Sequence, residues 1–213
     1  MPERSYRVLL WILALSGLAL DQSSKYGVFA WLAEKPEHEF VVFRTDKGGF
    51  QLVAQFERTD KGEEVHDGGR RVPHVNQGAL FGFLRDRKEL ANGGFAVISL
   101  LAAAAIIYWS THRNTARDRW LCGALGLILA GTLGNFYDRV VFNGVRDFLH
   151  WNYLFDWPVF NVADCCLVSG ACLLLLQAFA SHPANNEPKA ESSVHPAPTN
   201  LTRSAELSAA PKV

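Results

Sequence analysis

Apolar residues are not spread evenly along the chain. They collect in four runs: Val8 to Leu32, broken by polar residues at Asp21 and Lys25; about Gly93 to Ser110; Trp120 to Phe142; and Val159 to Ala180. A helix needs about 20 apolar residues to cross a hydrocarbon core of about 30 Å. The first, third and fourth runs reach that length and the second barely does, so the pattern predicts four transmembrane helices. Four crossings return the chain to its starting side, which places both termini on one face. Arg4 and Arg7 ahead of the 13-residue run Val8 to Leu20, with Gly17-Leu18-Ala19 as a small-x-small site, also fit a cleavable signal peptide. Three further spans favour a retained first helix.

Between the first and second runs lies a long polar segment, Glu34 to Gly93. Glu39 to Arg44 and Phe50 to Arg58 are strand-like, and Thr-Asp-Lys-Gly occurs twice, at Thr45 to Gly48 and at Thr59 to Gly62. Asp-Lys-Gly suits a hairpin turn with glycine at positive φ, so the segment predicts a β meander of two or three strands. Short basic segments set the orientation. Arg4 and Arg7 precede the first helix, and Arg113, Arg117 and Arg119 stand against the single acid Asp118 between the second and third. Cytoplasmic loops carry such an excess of Lys and Arg, so the 34–93 loop is expected outside the cytoplasm. The tail from 181 to 213 is rich in Pro, Ala, Ser and Asn and is expected to be disordered and without chemistry. The expected organisation is therefore a 1–180 membrane domain carrying the 34–93 insertion, then a cytoplasmic tail.

Bulk composition conceals this layout. With 213 residues, 49% hydrophobic and formal net charge zero, the averages would suit a soluble domain. A neutral chain gives no reason to expect nucleic acid. Cys122, Cys165, Cys166 and Cys172 lack metal-ligand spacing and all lie in apolar runs, so they are expected to be small buried packing residues.

Candidate chemistry begins with polar residues in or beside the spans, since ionisable groups there are costly and tend to be functional. At about 1.5 Å of rise per residue, Asp21 lies roughly 20 Å above the inner boundary, Asn135 near 22 Å and Asp138 near 27 Å. Asp164, on a helix running the other way, comes to about 7 Å below the outer face, and Asp147 falls in the loop just above. Four segments thus deliver polar groups to one layer at the outer leaflet. Asp21 and Lys25 are four apart and can neutralise each other. Asn135, Asp138 and Arg139 share a helix face, which suits either a polar ligand or a capping and packing device. Asp147 and Asp164 have no base at helical pairing distance apart from adjacent Arg146. Two carboxylates in one small site share a proton, which is the arrangement of an aspartic protease. A proton relay and purely structural polar contacts are alternatives that spacing leaves open. A small ion-coupled carrier would use Asp21, Asp138 and Asp164, but its polar groups should sit near the midplane among inverted repeats.

Five blocks carry a resemblance: Leu20-Asp21-Gln22-Ser23-Ser24-Lys25, Asn76-Gln77-Gly78-Ala79-Leu80-Phe81, Gly134-Asn135-Phe136-Tyr137-Asp138-Arg139, Val145-Arg146-Asp147-Phe148 and Phe160-Asn161-Val162-Ala163-Asp164. In this order they resemble the motifs of lipoprotein signal peptidase, over about Val8 to Ala180. The resemblance implies an all-α bundle of four transmembrane helices with a small extracytoplasmic β subdomain, acting as an aspartyl endopeptidase in the bacterial inner membrane. It implies that Asp147 and Asp164 are catalytic, that Asn76, Asn135, Arg139 and Asn161 line the substrate site, and that Asp21, Lys25, Gly78 and Asp138 support it. The implied substrate is a prolipoprotein whose cysteine carries diacylglycerol, cut on the amino side of that cysteine by a monomer needing no cofactor or metal. Two departures stand out. Leu80 replaces a usually smaller residue, and the segment between Lys25 and Asn76 is longer by about one hairpin.

Overall fold

The computed structural model describes residues 5–78 and 88–180. The expected tail, Arg4 and the Ala79-Leu80-Phe81 end of the second motif lie outside the described residues. The described residues form the helices α1 (Arg7–Ala33), α2 (Lys88–Ser110), α3 (Arg113–Arg117), α4 (Arg119–Phe142) and α5 (Val162–Ala180). The strands are β1 (Glu39–Thr45), β2 (Gly48–Val53), β3 (His66–Asp67), β4 (Arg70–Arg71) and β5 (Leu149–Trp151). Among the described residues three helices are long and apolar enough to cross a membrane, at Glu89–Ser110, Arg119–Phe142 and Val162–Ala180. α1 has the length, at 27 residues, but Asp21 to Lys25 interrupt its apolar character, and it does not meet the same criterion.

α4 is the central helix. Of its most apolar window 61% is buried, against 22% for α2 and 11% for α5. Leu10 and Ala14 of α1, Ala103 and Ile106 of α2, and Cys122, Leu125 and Leu129 of α4 form one buried cluster. The outward faces of α2 and α5 leave Ile98, Leu101, Val168 and Leu176 bare, as helices that are apolar all round do when lipid surrounds them. Small residues bring the backbones close. A Cβ on Gly134 would fall 2.5 Å from the Asp21 carboxylate, so α1 and α4 can approach at this level only with glycine there. Asp118, the one acid of the basic segment, caps α4 by accepting from the N–H groups of Trp120 (2.9 Å) and Leu121 (3.0 Å).

Several expectations shift. α2 begins at Lys88 rather than Gly93, and α5 at Val162 rather than Val159. The strand expected over Phe50 to Arg58 stops at Val53. Phe56 and Arg58 then make single bridges to Pro73 and Glu64, and Pro73, having no N–H, cannot extend a ladder. Both Thr-Asp-Lys-Gly repeats do form turns, with Gly48 at φ 111° and Gly62 at φ 81°. The third strand of the main sheet, in the order β1-β2-β5, comes from the α4–α5 connection. The cysteine expectation is corrected: Cys122 is buried, but Cys165 and Cys172 are exposed and Cys166 is intermediate, all as free thiols. The exposed pair sits on α5, most of whose surface points away from the bundle.

Candidate active site

Two layers of polar side chains meet where α1, α4, α5 and the α4–α5 connection converge. The lower layer is charged, buried and electrically balanced. Lys25 Nζ donates to Asp21 Oδ2 at 2.9 Å and lies 3.4 Å from Asp138 Oδ2. Arg146 holds Asp138 through its Nη2 (2.9 Å to Oδ1), its Nε (3.2 Å to Oδ2) and its backbone N–H (2.9 Å to Oδ2). Its guanidinium packs against the faces of Tyr26 and Phe142, 4.2 and 3.9 Å from the ring centres. Gln22 Nε2 donates to Asp21 (3.0 Å) and Asp138 (3.2 Å), while its Oε1 accepts from Arg146 (3.0 Å). Asp21 also accepts from the Ala163 N–H at 2.9 Å, which ties α1 to the first turn of α5. Asp21, Lys25, Asp138 and Arg146 are all at most 2% exposed, so removing one partner would strand another charge without water.

The upper layer holds the two remaining carboxylates on neutral donors. Asn161 Nδ2 donates to Asp147 Oδ1 at 2.7 Å and to Asn135 Oδ1 at 3.2 Å. Asn135 Nδ2 donates to Asp164 Oδ1 at 2.8 Å, and Asn76 Nδ2 to Asp147 Oδ2 at 3.1 Å. Asn161 and Asp164 also form a reciprocal capping box. The Asn161 N–H reaches Asp164 Oδ2 and the Asp164 N–H reaches Asn161 Oδ1, each at 3.1 Å, so the local signal that starts α5 also fixes a carboxylate. Lys25 Nζ, 3.3 Å from Asn135 Oδ1, links the two layers. Burial and the nearby Asp164 charge push the Asp147 carboxyl up to about 6, against the amide bonds from Asn161 and Asn76, which favour ionisation.

Asn76 enters from the far side of the β segment. Its backbone pairs with Val145 in both directions, at 2.8 and 2.9 Å. Gly78, at φ 89°, turns the chain so that its N–H donates to Asn76 Oδ1 at 2.9 Å; this is a left-handed position that suits glycine. Arg139 lies beside the upper layer. Its Nη1 donates to the Asn135 carbonyl at 3.2 Å and its guanidinium sits 5.3 Å from the Phe95 ring centre, while its buried Nε has no hydrogen-bond partner among the described residues. Among the described residues no three His, Cys, Asp or Glu side chains converge as a metal site.

Every site residue singled out in the sequence thus falls in one of these layers or at their edge. Gln22 and Arg146 were not singled out. Arg146 follows directly before Asp147, yet its side chain turns the opposite way, to Asp138. The signal for it was the charge count: Asp21 and Asp138 against Lys25 leave one acid in need of a cation.

Comparison with known proteins places the chain. A family model described as signal peptidase (SPase) II matches residues 13–180. The lipoprotein signal peptidase of Rhodopirellula baltica is 35% identical over 191 residues, which cover 84% of this chain and 74% of that one. The lipoprotein signal peptidase of Pseudomonas syringae is 43% identical over 108 residues, 50% of this chain and 62% of the relative. A bacterial membrane enzyme solved in meso at 2.3 Å resolution shares the fold with a TM-score of 0.65, at 24% identity over 89% of this chain and 98% of that chain.

Proposed function

The chain belongs to the signal peptidase II family, and from that premise we propose that Asp147 and Asp164 are the pair with which it cuts. Membership makes it a protease of aspartic type that removes signal peptides from prolipoproteins. The observation that carries the residue assignment is the chain of neutral amides joining the two carboxylates, Asp147 to Asn161 to Asn135 to Asp164. Among the described residues no cation is hydrogen-bonded to either acid, so a proton can stay and move between them and the substrate. In the working enzyme one of the two carboxyls carries a proton while the other is ionised. Asp147, pushed up to about 6, carries that proton and polarises the scissile carbonyl. Asp164 takes the proton of the attacking water and returns one to the leaving amine. Asn76, Asn135 and Asn161 aim the carboxylates, and Arg139 lines the substrate site beside them.

The finer placement follows from the same reading. α1 is the fourth span, its Asp21 to Lys25 segment tolerated because the buried network neutralises it. Both termini face the cytoplasm of the inner membrane, and the pair sits near the outer leaflet, within reach of a cysteine anchored there by diacylglycerol. Residues 1–180 form the membrane domain, 34–93 its outer insertion, and the enzyme works as a monomer. Incubating the purified protein with a diacylglyceryl-modified prolipoprotein peptide and its unmodified twin tests this. Only the modified peptide should be cut, on the amino side of the cysteine; cleavage of both alike would sink the lipid requirement, and of neither the whole reading.

A further inference from the structure

The cavity that contains Asp147 does not end at the carboxylate pair. It has a volume of about 570 Å³ and continues from Asp147, Asn76 and Val145 to Gln55, Glu57 and His74, a size in the roughly 300–1,000 Å³ range of ligand sites. The last three residues lie in the segment between Lys25 and Asn76, which is longer than the family resemblance leads one to expect, and no role follows for them from the peptide chemistry above.

Local structure explains why they face the cavity. Phe56 packs edge-on against Phe29 and His38, with ring centres 5.9 and 4.9 Å apart, so it points into the core at the end of α1. Neighbouring side chains on an extended backbone alternate faces, which turns Gln55 and Glu57 the other way. His74 meets them across the Phe56–Pro73 bridge. Its N–H donates to the Gln55 carbonyl at 2.9 Å, and its Nδ1 lies 2.8 Å from Glu57 Oε1. The hairpin beyond is pinned rather than loose. Glu64 joins His38 (2.6 Å to Nε2) and Arg71, and Arg71 Nη1 donates to the Ala33 carbonyl at 2.7 Å. The Glu57 and His74 side chains remain 43% and 52% exposed, so a ligand in the cavity can reach them. Arg58 lines the neighbouring cavity and not this one, so Glu57 gives this end of the cleft its charge.

A prolipoprotein cut at Asp147 has two arms. The apolar signal helix stays among lipid, and the cavity offers the chain that follows the lipidated cysteine a way towards water past Glu57 and His74. We propose that Gln55, Glu57 and His74 form a subsite for the first residues after that cysteine, and that Glu57 makes it prefer a cationic side chain. This rests on the peptidase reading of the same site.

The test uses diacylglyceryl peptides that differ at the second or third residue counted from the cysteine, with Lys, Ser or Glu there. The wild-type enzyme should favour Lys over Glu in kcat/KM by about fivefold at one of these positions, the effect of a partly exposed charge pair. Glu57→Gln should abolish that ratio and Glu57→Lys should invert it, while the Ser peptide keeps its rate within about twofold. Cleavage of all peptides by all three enzymes with an unchanged ranking at both positions overturns the subsite and leaves the peptidase standing. If the wild-type enzyme cuts none of them, the peptidase reading fails and the subsite falls with it.

Discussion

The site contains four aspartates in two environments, and the contrast between them separates support from chemistry. Asp21 and Asp138 are buried against Lys25 and Arg146 at 2.9 to 3.4 Å. Asp147 and Asp164 receive hydrogen bonds from asparagine amides and a backbone N–H and, among the described residues, from no cation. A carboxylate locked to a buried cation has lost its freedom to exchange protons, since doing so would leave the cation unpaired in low dielectric. A carboxylate held by neutral amides is positioned equally well and stays titratable. Position is supplied in both layers; the difference lies in what each layer does with charge.

The largest effect that could break this comparison comes from removing a cation of the lower layer. Lys25→Ala strands Asp21 and should cost about 3–5 kcal/mol, read as a fall in the yield of folded protein and in Tm, with activity per folded molecule largely kept. Arg146→Ala should behave alike through Asp138. A well-folded, inactive Lys25 variant would move that layer into the chemistry. The pH profile comes next. The Asp147 carboxyl, raised from 3.8 to about 6, keeps its proton in the folded state to higher pH than in the unfolded chain, so its contribution to stability is greatest below about 4 and declines as pH rises to about 6. Activity requires the Asp147 proton and should fall by about tenfold per pH unit above about 6. An initial-rate profile in lipid or detergent gives that limb, and a rate still rising at alkaline pH would contradict a proton required at Asp147. The smallest effect belongs to Gly134→Ala, whose methyl group would meet Asp21. It should cost about 1–3 kcal/mol without changing the pH profile.

Much of this was legible in the chain. α4 is apolar through its first four turns, and the run was bounded to within one residue of Arg119–Phe142. The Asp21–Lys25 contact followed from helical spacing alone. The direction of Arg146 was not legible, because sequence neighbours in a loop carry no fixed face. Nor was β5, which completes a sheet whose other strands lie about 100 residues earlier and whose pairing is therefore non-local. The start of α5 was placed three residues early because Val159 and Phe160 extend the apolar run; the Asn161–Asp164 capping box overrides them, so hydrophobicity read the membrane boundary but not the helix boundary.

The most direct measurement takes the four Asp→Asn variants at positions 21, 138, 147 and 164 and reads kcat/KM on a diacylglyceryl prolipoprotein peptide beside Tm. The amide is nearly equal in volume and cannot transfer the proton. Asn at 147 or 164 should leave Tm close to that of the parent protein and lower kcat/KM by about 10²–10⁴, whereas Asn at 21 or 138 should lower Tm and leave the folded fraction active. An active variant at 147 or 164, or a stable and inactive one at 21 or 138, would contradict the division of the four aspartates.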